Sequence, residues 1–197
     1  MDSPLVLNEI TTAEKKYLMN LAMQTMKQAF MDDNPSTSEP GPEMPNIQKT
    51  ACCFITLMKD DNLRGCIGSL LPTGPLYKDV VKNTVSVMFD DHRFGKVTAD
   101  EVDGIHIQIS ILSNLEKMSV DSESDLLNQI NPHVDGIVLQ EGYNRSTFLP
   151  SVWDSLSDPV DFIRQLKRKA GLGSNYWSDK ITIQRYSVLK LDDGPDV

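Results

Sequence analysis

Asn62-Leu63-Arg64-Gly65-Cys66-Ile67-Gly68-Ser69-Leu70 is the stretch on which the fold turns. An apolar run of strand length, Ala51 to Leu57, precedes it across the turn-forming Lys59-Asp60-Asp61-Asn62, so the two segments read as a β-hairpin. Within six residues the second arm carries two glycines, an arginine and a cysteine. That composition forgoes packing volume and adds charge. It marks the arm's backbone or surface as having a role beyond filling a core.

Outward from the hairpin the periodicities are plain. Leu76, Val80, Val81, Thr84, Val85 and Met88 recur at helical spacing after the breakers Pro72, Gly74 and Pro75, giving a helix over 76–89. Ile105, Ile107, Ile109 and Ile111 alternate with His106, Gln108 and Ser110, the period of a half-buried strand. Toward the N-terminus, Thr11 and Glu14 have capping-box spacing, and Leu18, Leu21, Ala22, Met26 and Ala29 share one face of a helix over 12–30. Residues 32–48 hold Pro35, Pro40, Gly41, Pro42 and Pro45 among acidic and polar neighbours and read as a long surface loop. On the C-terminal side come a helical turn near 98–102, a helix over 124–130 stopped by Asn131-Pro132, and a second hairpin pairing 136–140 with 146–149. Asp158-Pro159 opens a helix that Gly171 closes. Residues 181–191 read as a last strand beside the Ile105 strand, and 192–197 as a fraying tail. Helices among many hairpin signals argue for the α+β class, with mostly antiparallel sheets flanked by helices.

A chain of 197 residues suffices for one compact domain or two small interleaved ones. No apolar run approaches the roughly 20 residues a bilayer requires, so no spanning helix is expected. Met1-Asp2-Ser3-Pro4 lacks the basic and apolar regions of a secretory signal, which points to the cytoplasm. Three cysteines, two of them adjacent at Cys52 and Cys53, make no disulfide framework, and no ligand spacing indicates a metal or other cofactor. A net charge of -9 disfavours nucleic acid. The basic cluster Arg164, Lys167, Arg168 and Lys169 lies near a helix C-terminus, where the helix dipole gives it a structural role.

Along an extended arm Arg64, Cys66 and Gly68 share one side, and Leu63, Gly65 and Ile67 the other. Same-face neighbours are about 6.5–7 Å apart at the backbone, close enough for a guanidinium to favour a thiolate in a dry site. Cys66 is thereby a candidate nucleophile. Gly65 and Gly68 admit close approach by a ligand or another backbone, or permit a bulge. The competing reading is structural: Cys66 fills a narrow gap, and Arg64 is held by a carboxylate.

These residues carry a resemblance. Leu63-Arg64-Gly65-Cys66-Ile67-Gly68 is similar to the signature of the AMMECR family, whose prokaryotic members are labelled AmmeMemoRadiSam system protein A. Asp91-His92-Arg93-Phe94 resembles the family's Asp-Pro-Arg-Phe element, and Arg145-Ser146-Thr147-Phe148-Leu149-Pro150 its Arg-Gly-Thr-Phe-Leu-Pro segment. Lys169-Ala170-Gly171-Leu172 with Trp177 resembles its C-terminal signature. His92 stands in place of proline, Ser146 of glycine, and Gln108 of a glutamate common in the family, which counts against a general base at 108. The resemblance implies one AMMECR-type domain over 1–197 in two interleaved subdomains, with the signature near a cleft between them. The 51–70 and 136–150 hairpins are expected to build the smaller one. No reaction is implied.

Three functions are open. The first is a cleft that binds a small or extended ligand, anionic if Arg64, Arg93 and Arg145 anchor it, with Gly65 and Gly68 lining the approach. The second is a thiol enzyme using Cys66, for which His92, His106 and His133 offer no evident base. The third is an adaptor for protein ligands, Memo-type and radical-SAM proteins among them, presenting Tyr143, Phe148 and Trp153 as a contact surface.

Overall fold

The computed structural model describes residues 4–31 and 39–192. Of the tail expected to fray, 192–197, Asp192 ends a strand instead, and 193–197 lie outside that range, as do the loop residues 32–38. The elements in chain order are α1 (Thr12–Gln28), β1 (Cys53–Lys59), β2 (Asn62–Gly68), α2 (Leu76–Phe89), β3 (Ile105–Leu112) and β4 (Glu116–Met118), then α3 (Glu123–Gln129), β5 (Gly136–Glu141), β6 (Asn144–Phe148), α4 (Pro159–Lys169), β7 (Thr182–Tyr186) and β8 (Val188–Asp192). The strands make two four-stranded sheets, ordered β2-β1-β3-β8 and β4-β7-β5-β6. The α+β class with antiparallel pairing is therefore as the sequence reads. The described chain forms two compact units, Met1–Ser113 with Leu189–Val197, and Asn114–Val188.

In the first unit the alternation of β1 and β3 sends Cys53, Ile55, Leu57, Ile105, Ile107, Ile109 and Ile111 into one core with Leu18, Ala22 and Met26 of α1 and Val80, Val87 and Met88 of α2. Each fully buried aliphatic side chain there contributes roughly 1.5–3 kcal/mol of transfer free energy. The capping box forms: Glu14 N–H donates to Thr11 Oγ1 at 3.2 Å and Thr11 N–H to Glu14 Oε2 at 2.9 Å. Glu14 also accepts the Asn46 N–H at 2.8 Å, and Ile47 is fully buried, so residues 46–47 of the expected surface loop are anchored. Burial pushes the Glu14 carboxyl up, but the hydrogen bonds from Thr11 and Asn46 more than offset it and hold it below the usual range.

In the second unit Ile137, Leu139, Ile183 and Met118 pack with Phe162, Ile163 and Leu166 of α4. Trp153 stacks on Phe162 with centroids 3.7 Å apart, and its Nε1 donates to the Asp135 carbonyl at 2.8 Å. Trp153 is fully buried and Phe148 sits edge-on to Phe162, so of the three expected surface aromatics only Tyr143 is exposed. Lys167 of the basic cluster is buried against Glu123 at 2.8 Å, and Lys169 Nζ donates to the Thr147 carbonyl at 3.0 Å. Lys167 and Lys169 thus tie α4 to other parts of its unit, while Arg164 pairs with Asp161 on the helix itself and Arg168 is exposed.

Two expectations change. The 51–70 and 136–150 hairpins belong to different sheets and different units, because each buries its apolar face against its own helices. The last strand divides at Ser187, where the alternation slips: Ile183 faces the core of the second sheet, while Leu191 joins the core of the first beside β3. β4, three residues with two exposed, left no periodic signal.

Candidate functional site

β2 is an edge strand, and its register against β1 slips once. Leu57 pairs with Gly65 and Met58 with Leu63, which leaves Arg64 as the extra residue of a β-bulge. Strict alternation fails there, so Arg64 does not stand over Cys66. Arg64 grips Glu101 with Nε and Nη2 at 3.2 and 3.0 Å, and donates to the Gly95 and Lys96 carbonyls at 2.9 and 3.2 Å. Arg64 and the Thr98 backbone amide hold the Glu101 carboxyl down at about 2, and Lys59 adds a second ion pair at 3.1 Å. Arg64 fastens the 95–101 segment to the hairpin.

The arginine beside Cys66 is Arg93. Asp91, buried at the end of α2, accepts the Cys66 N–H at 2.9 Å and takes Arg93 Nε and Nη2 at 2.9 and 2.7 Å. Arg93 Nη2 also donates to the Cys66 carbonyl at 2.9 Å. Both outward-facing polar groups of the Cys66 main chain are thus satisfied by one carboxylate–guanidinium pair, which closes the exposed edge of the sheet to further strand pairing. Hydrogen bonds from Arg93 hold the Asp91 carboxyl down at about 2, against the opposing effect of burial. The Arg93 guanidinium is pushed up mainly by Asp91, with a smaller contribution from Cys66.

The two glycines serve packing within the chain. A Cβ at Gly65 would lie 3.0 Å from Val87 Cγ2 and 3.1 Å from the Val87 carbonyl oxygen, so the missing side chain lets α2 close on β2. A Cβ at Gly68 would overlap the Phe54 ring and the Cys53 carbonyl. Of the approaches the sequence left open, that of the chain's own neighbours is present at both glycines, Val87 at Gly65 and Phe54 with Cys53 at Gly68.

On the face of the first sheet away from the helices, register sets Cys66, Thr56 and Gln108 side by side on β2, β1 and β3. Thr56 Oγ1 donates to Cys66 Sγ at 3.4 Å, and Gln108 Nε2 to Asp192 Oδ2 at 2.9 Å. Cys66, Thr56, Gln108, Phe54 and Met58 are all half-buried. Cys52 and Cys53 differ: burial, then the Asp79 charge, pushes the Cys52 thiol up to about 12 and the Cys53 thiol well above its usual range. His92 and His106 are exposed, and His133 lies 3.6 Å from Asp154; none bonds to Cys66. Among the described residues no three His, Cys, Asp or Glu side chains gather as a metal site. No helix there is long and apolar enough to cross a membrane.

Arg145 lies in the second unit, on β6 opposite Gln140. Sequence reasoning missed Asp91, Glu101 and Thr56 as partners of β2. The Asp-x-Arg spacing at 91–93 was the available signal, since a carboxylate and guanidinium two apart in a turn can close on each other.

A family model described as AMMECR1 matches residues 19–191. A protein of Methanothermobacter thermautotrophicus is 34% identical over 134 residues, 66% of this chain and 68% of that one. A Thermotoga maritima protein is 34% identical over 154 residues, 76% and 83% of the two chains. Protein MJ0810 of Methanocaldococcus jannaschii is 31% identical over 158 residues, 77% of each chain. The crystal structure of uncharacterized protein PH0010 from Pyrococcus horikoshii shares the fold with a TM-score of 0.83 at 24% identity, covering 93% of each chain.

Proposed function

The chain belongs to the AMMECR1 family, and on that premise we propose that it binds a small ligand on the outer face of its first sheet, at the Cys66, Thr56, Gln108 row. The observation that carries the reading is this half-buried row of thiol, hydroxyl and amide, with Cys66 fixed from behind by Asp91 and Arg93. Phe54 and Met58 supply apolar surface beside it. A rigid floor, apolar flanks and a few convergent polar groups suit small-molecule recognition. Because Arg64 and Arg93 already grip carboxylates of their own unit, this face suits a neutral polar ligand.

Cys66 acts here as a contact. As a nucleophile it has Arg93 nearby, yet its hydrogen-bond partner is Thr56 and no base stands beside it. The adaptor reading, with Memo-type and radical-SAM partners in the cytoplasm, has the fully exposed Tyr143 at the β5–β6 turn in its favour.

The test is a screen of small neutral polar fragments by amide chemical shift on the whole protein. Saturable shifts confined to Cys66, Thr56 and Gln108, abolished by carbamidomethylation of Cys66, are expected. Hits that cluster elsewhere, or that survive the modification unchanged, overturn the assignment.

A further inference from the structure

The two sheets guard their outer strands differently. At β2 both outward main-chain groups of Cys66 are bonded, by Asp91 and Arg93. At β6, the outer strand of the second sheet, the guard is one lysine. On β5 the Ile137 carbonyl accepts the Thr147 hydroxyl at 2.8 Å, and the Gln140 carbonyl accepts the Thr182 hydroxyl at 3.1 Å. Main-chain groups alternate along a central antiparallel strand, so Ile137, Leu139 and Glu141 serve β6, while Val138 and Gln140 serve β7. Their β6 partners Phe148, Ser146 and Asn144 bond inward, and Arg145 and Thr147 turn their N–H and C=O groups outward. The Thr147 carbonyl accepts Lys169 Nζ at 3.0 Å; among the described residues the Thr147 N–H and both Arg145 main-chain groups have no hydrogen-bond partner.

α4 borders that edge. Phe162 meets Phe148 edge-on with centroids 5.2 Å apart, the Leu166 carbonyl accepts the Ser146 hydroxyl at 2.7 Å, and a Cβ on Gly171 would lie 3.5 Å from Asn144 Oδ1. The helix therefore runs antiparallel along β6, on the face that Ser146 and Phe148 share. Lys169 reaches from its last turn to the edge, with Nζ 5.0 Å from the centre of the Phe148 ring. Arg164, Arg168 and Lys169 are all exposed, so in a chain of net charge -9 this edge is bordered by cations. Just before the strand, Tyr143 is fully exposed on the turn.

We propose that the outer edge of β6 takes up a single extended segment of a partner protein, acidic in composition, as an added strand. Arg145 and Thr147 offer main-chain groups at the spacing of a ladder, which is how an edge strand recruits a peptide. An acidic side chain on the incoming strand draws Lys169 off the Thr147 carbonyl, so charge opens the edge to one kind of sequence and keeps it shut to others. Tyr143 stands at the end of the strand as an aromatic anchor. Antiparallel pairing with β6 of a second copy would set two α4 helices one strand spacing apart, about 4.8 Å, where packed helices need about 8–10 Å. A lone strand brings no helix. The edge shares no residue with the Cys66 row, so either site fails without the other.

The test follows the amides of the 15N-labelled full chain during titration with acetyl-Val-Glu-Val-Glu-Val-amide, its counterpart with lysine for glutamate, and the acidic peptide N-methylated throughout. Saturable shifts of the Arg145 and Thr147 amides, with slowed hydrogen exchange at both, are expected from the acidic peptide. The other two peptides should bind at least about tenfold more weakly. Lys169→Gln should shrink the preference for the acidic over the basic peptide. No saturable response of either amide, equal binding of the basic or N-methylated peptide, or amides that shift with protein concentration alone overturns the proposal. Shifts confined to Tyr143 also overturn strand addition, while leaving the turn as a contact for the adaptor reading. The wild-type resonances decide it even if the variant fails to fold.

Discussion

The Asp91 carboxylate holds Cys66 by its main chain, accepting the Cys66 N–H at 2.9 Å while delivering Arg93 to the Cys66 carbonyl. The pair acts on the backbone of β2, so it sets where the thiol sits without touching the sulfur by hydrogen bond. Asp91→Ala strips a buried carboxylate from four donors, the Cys66 and Arg93 backbone amides and two guanidinium nitrogens, and should cost about 2–4 kcal/mol. Arg93→Lys keeps the charge but loses the fork, and should cost less. Urea unfolding of the two variants checks the order; equal and negligible losses would show that solvent replaces the pair.

Acid should weaken the first unit in a defined window. The Asp91 carboxyl falls from 3.8 to about 2 in the folded chain, and Glu101 from 4.5 to about 2. Lowered values mean that both contributions are fully present above about pH 5 and fade as pH drops toward 2. The loss is on the order of 1–2 kcal/mol for each group. Glu101→Gln removes one titrating group and should flatten the pH dependence of stability below pH 5, read by denaturant midpoints across that range.

The glycines differ sharply in what they tolerate. Gly68→Ala drives a methyl into Phe54 and the Cys53 carbonyl and should cost about 2–3 kcal/mol. Gly95, with nothing within 4 Å of an added Cβ, should accept alanine with a change under about 0.5 kcal/mol. Thermal unfolding of both variants makes the comparison.

Thiol chemistry should single out one cysteine. In native protein iodoacetamide is expected to modify Cys66, which is half-buried, and to spare Cys52 and Cys53, which are buried with thiols pushed far up. Peptide mapping reads the site; modification of Cys53 before Cys66 would contradict the packing.

Gln108 is an amide for a local reason. Its Nε2 donates to Asp192 at 2.9 Å, and Gln108→Glu would set two carboxylates against each other at a partly exposed site. The variant should lose about 0.5–1 kcal/mol near neutral pH, read by denaturant unfolding. Adding Asp192→Asn should restore stability at neutral pH.

The amino-acid order alone determined the elements whose signals are local. The alternation at 105–111, the Thr11–Glu14 box and the Asp158-Pro159 start each depend on neighbours within a few residues, and each element formed. It also drew attention to the 62–70 stretch and to Arg64, Cys66, Arg93 and Arg145. Tertiary structure decided what those residues do, because a guanidinium's role depends on which acceptor reaches it, and acceptors come from distant chain. A single bulge at Arg64 turned an expected thiol partner into a clasp for Glu101, while Arg93, 27 positions beyond Cys66, bonds the Cys66 carbonyl. Periodicity assigns a side chain to a face; only the folded register says what waits there.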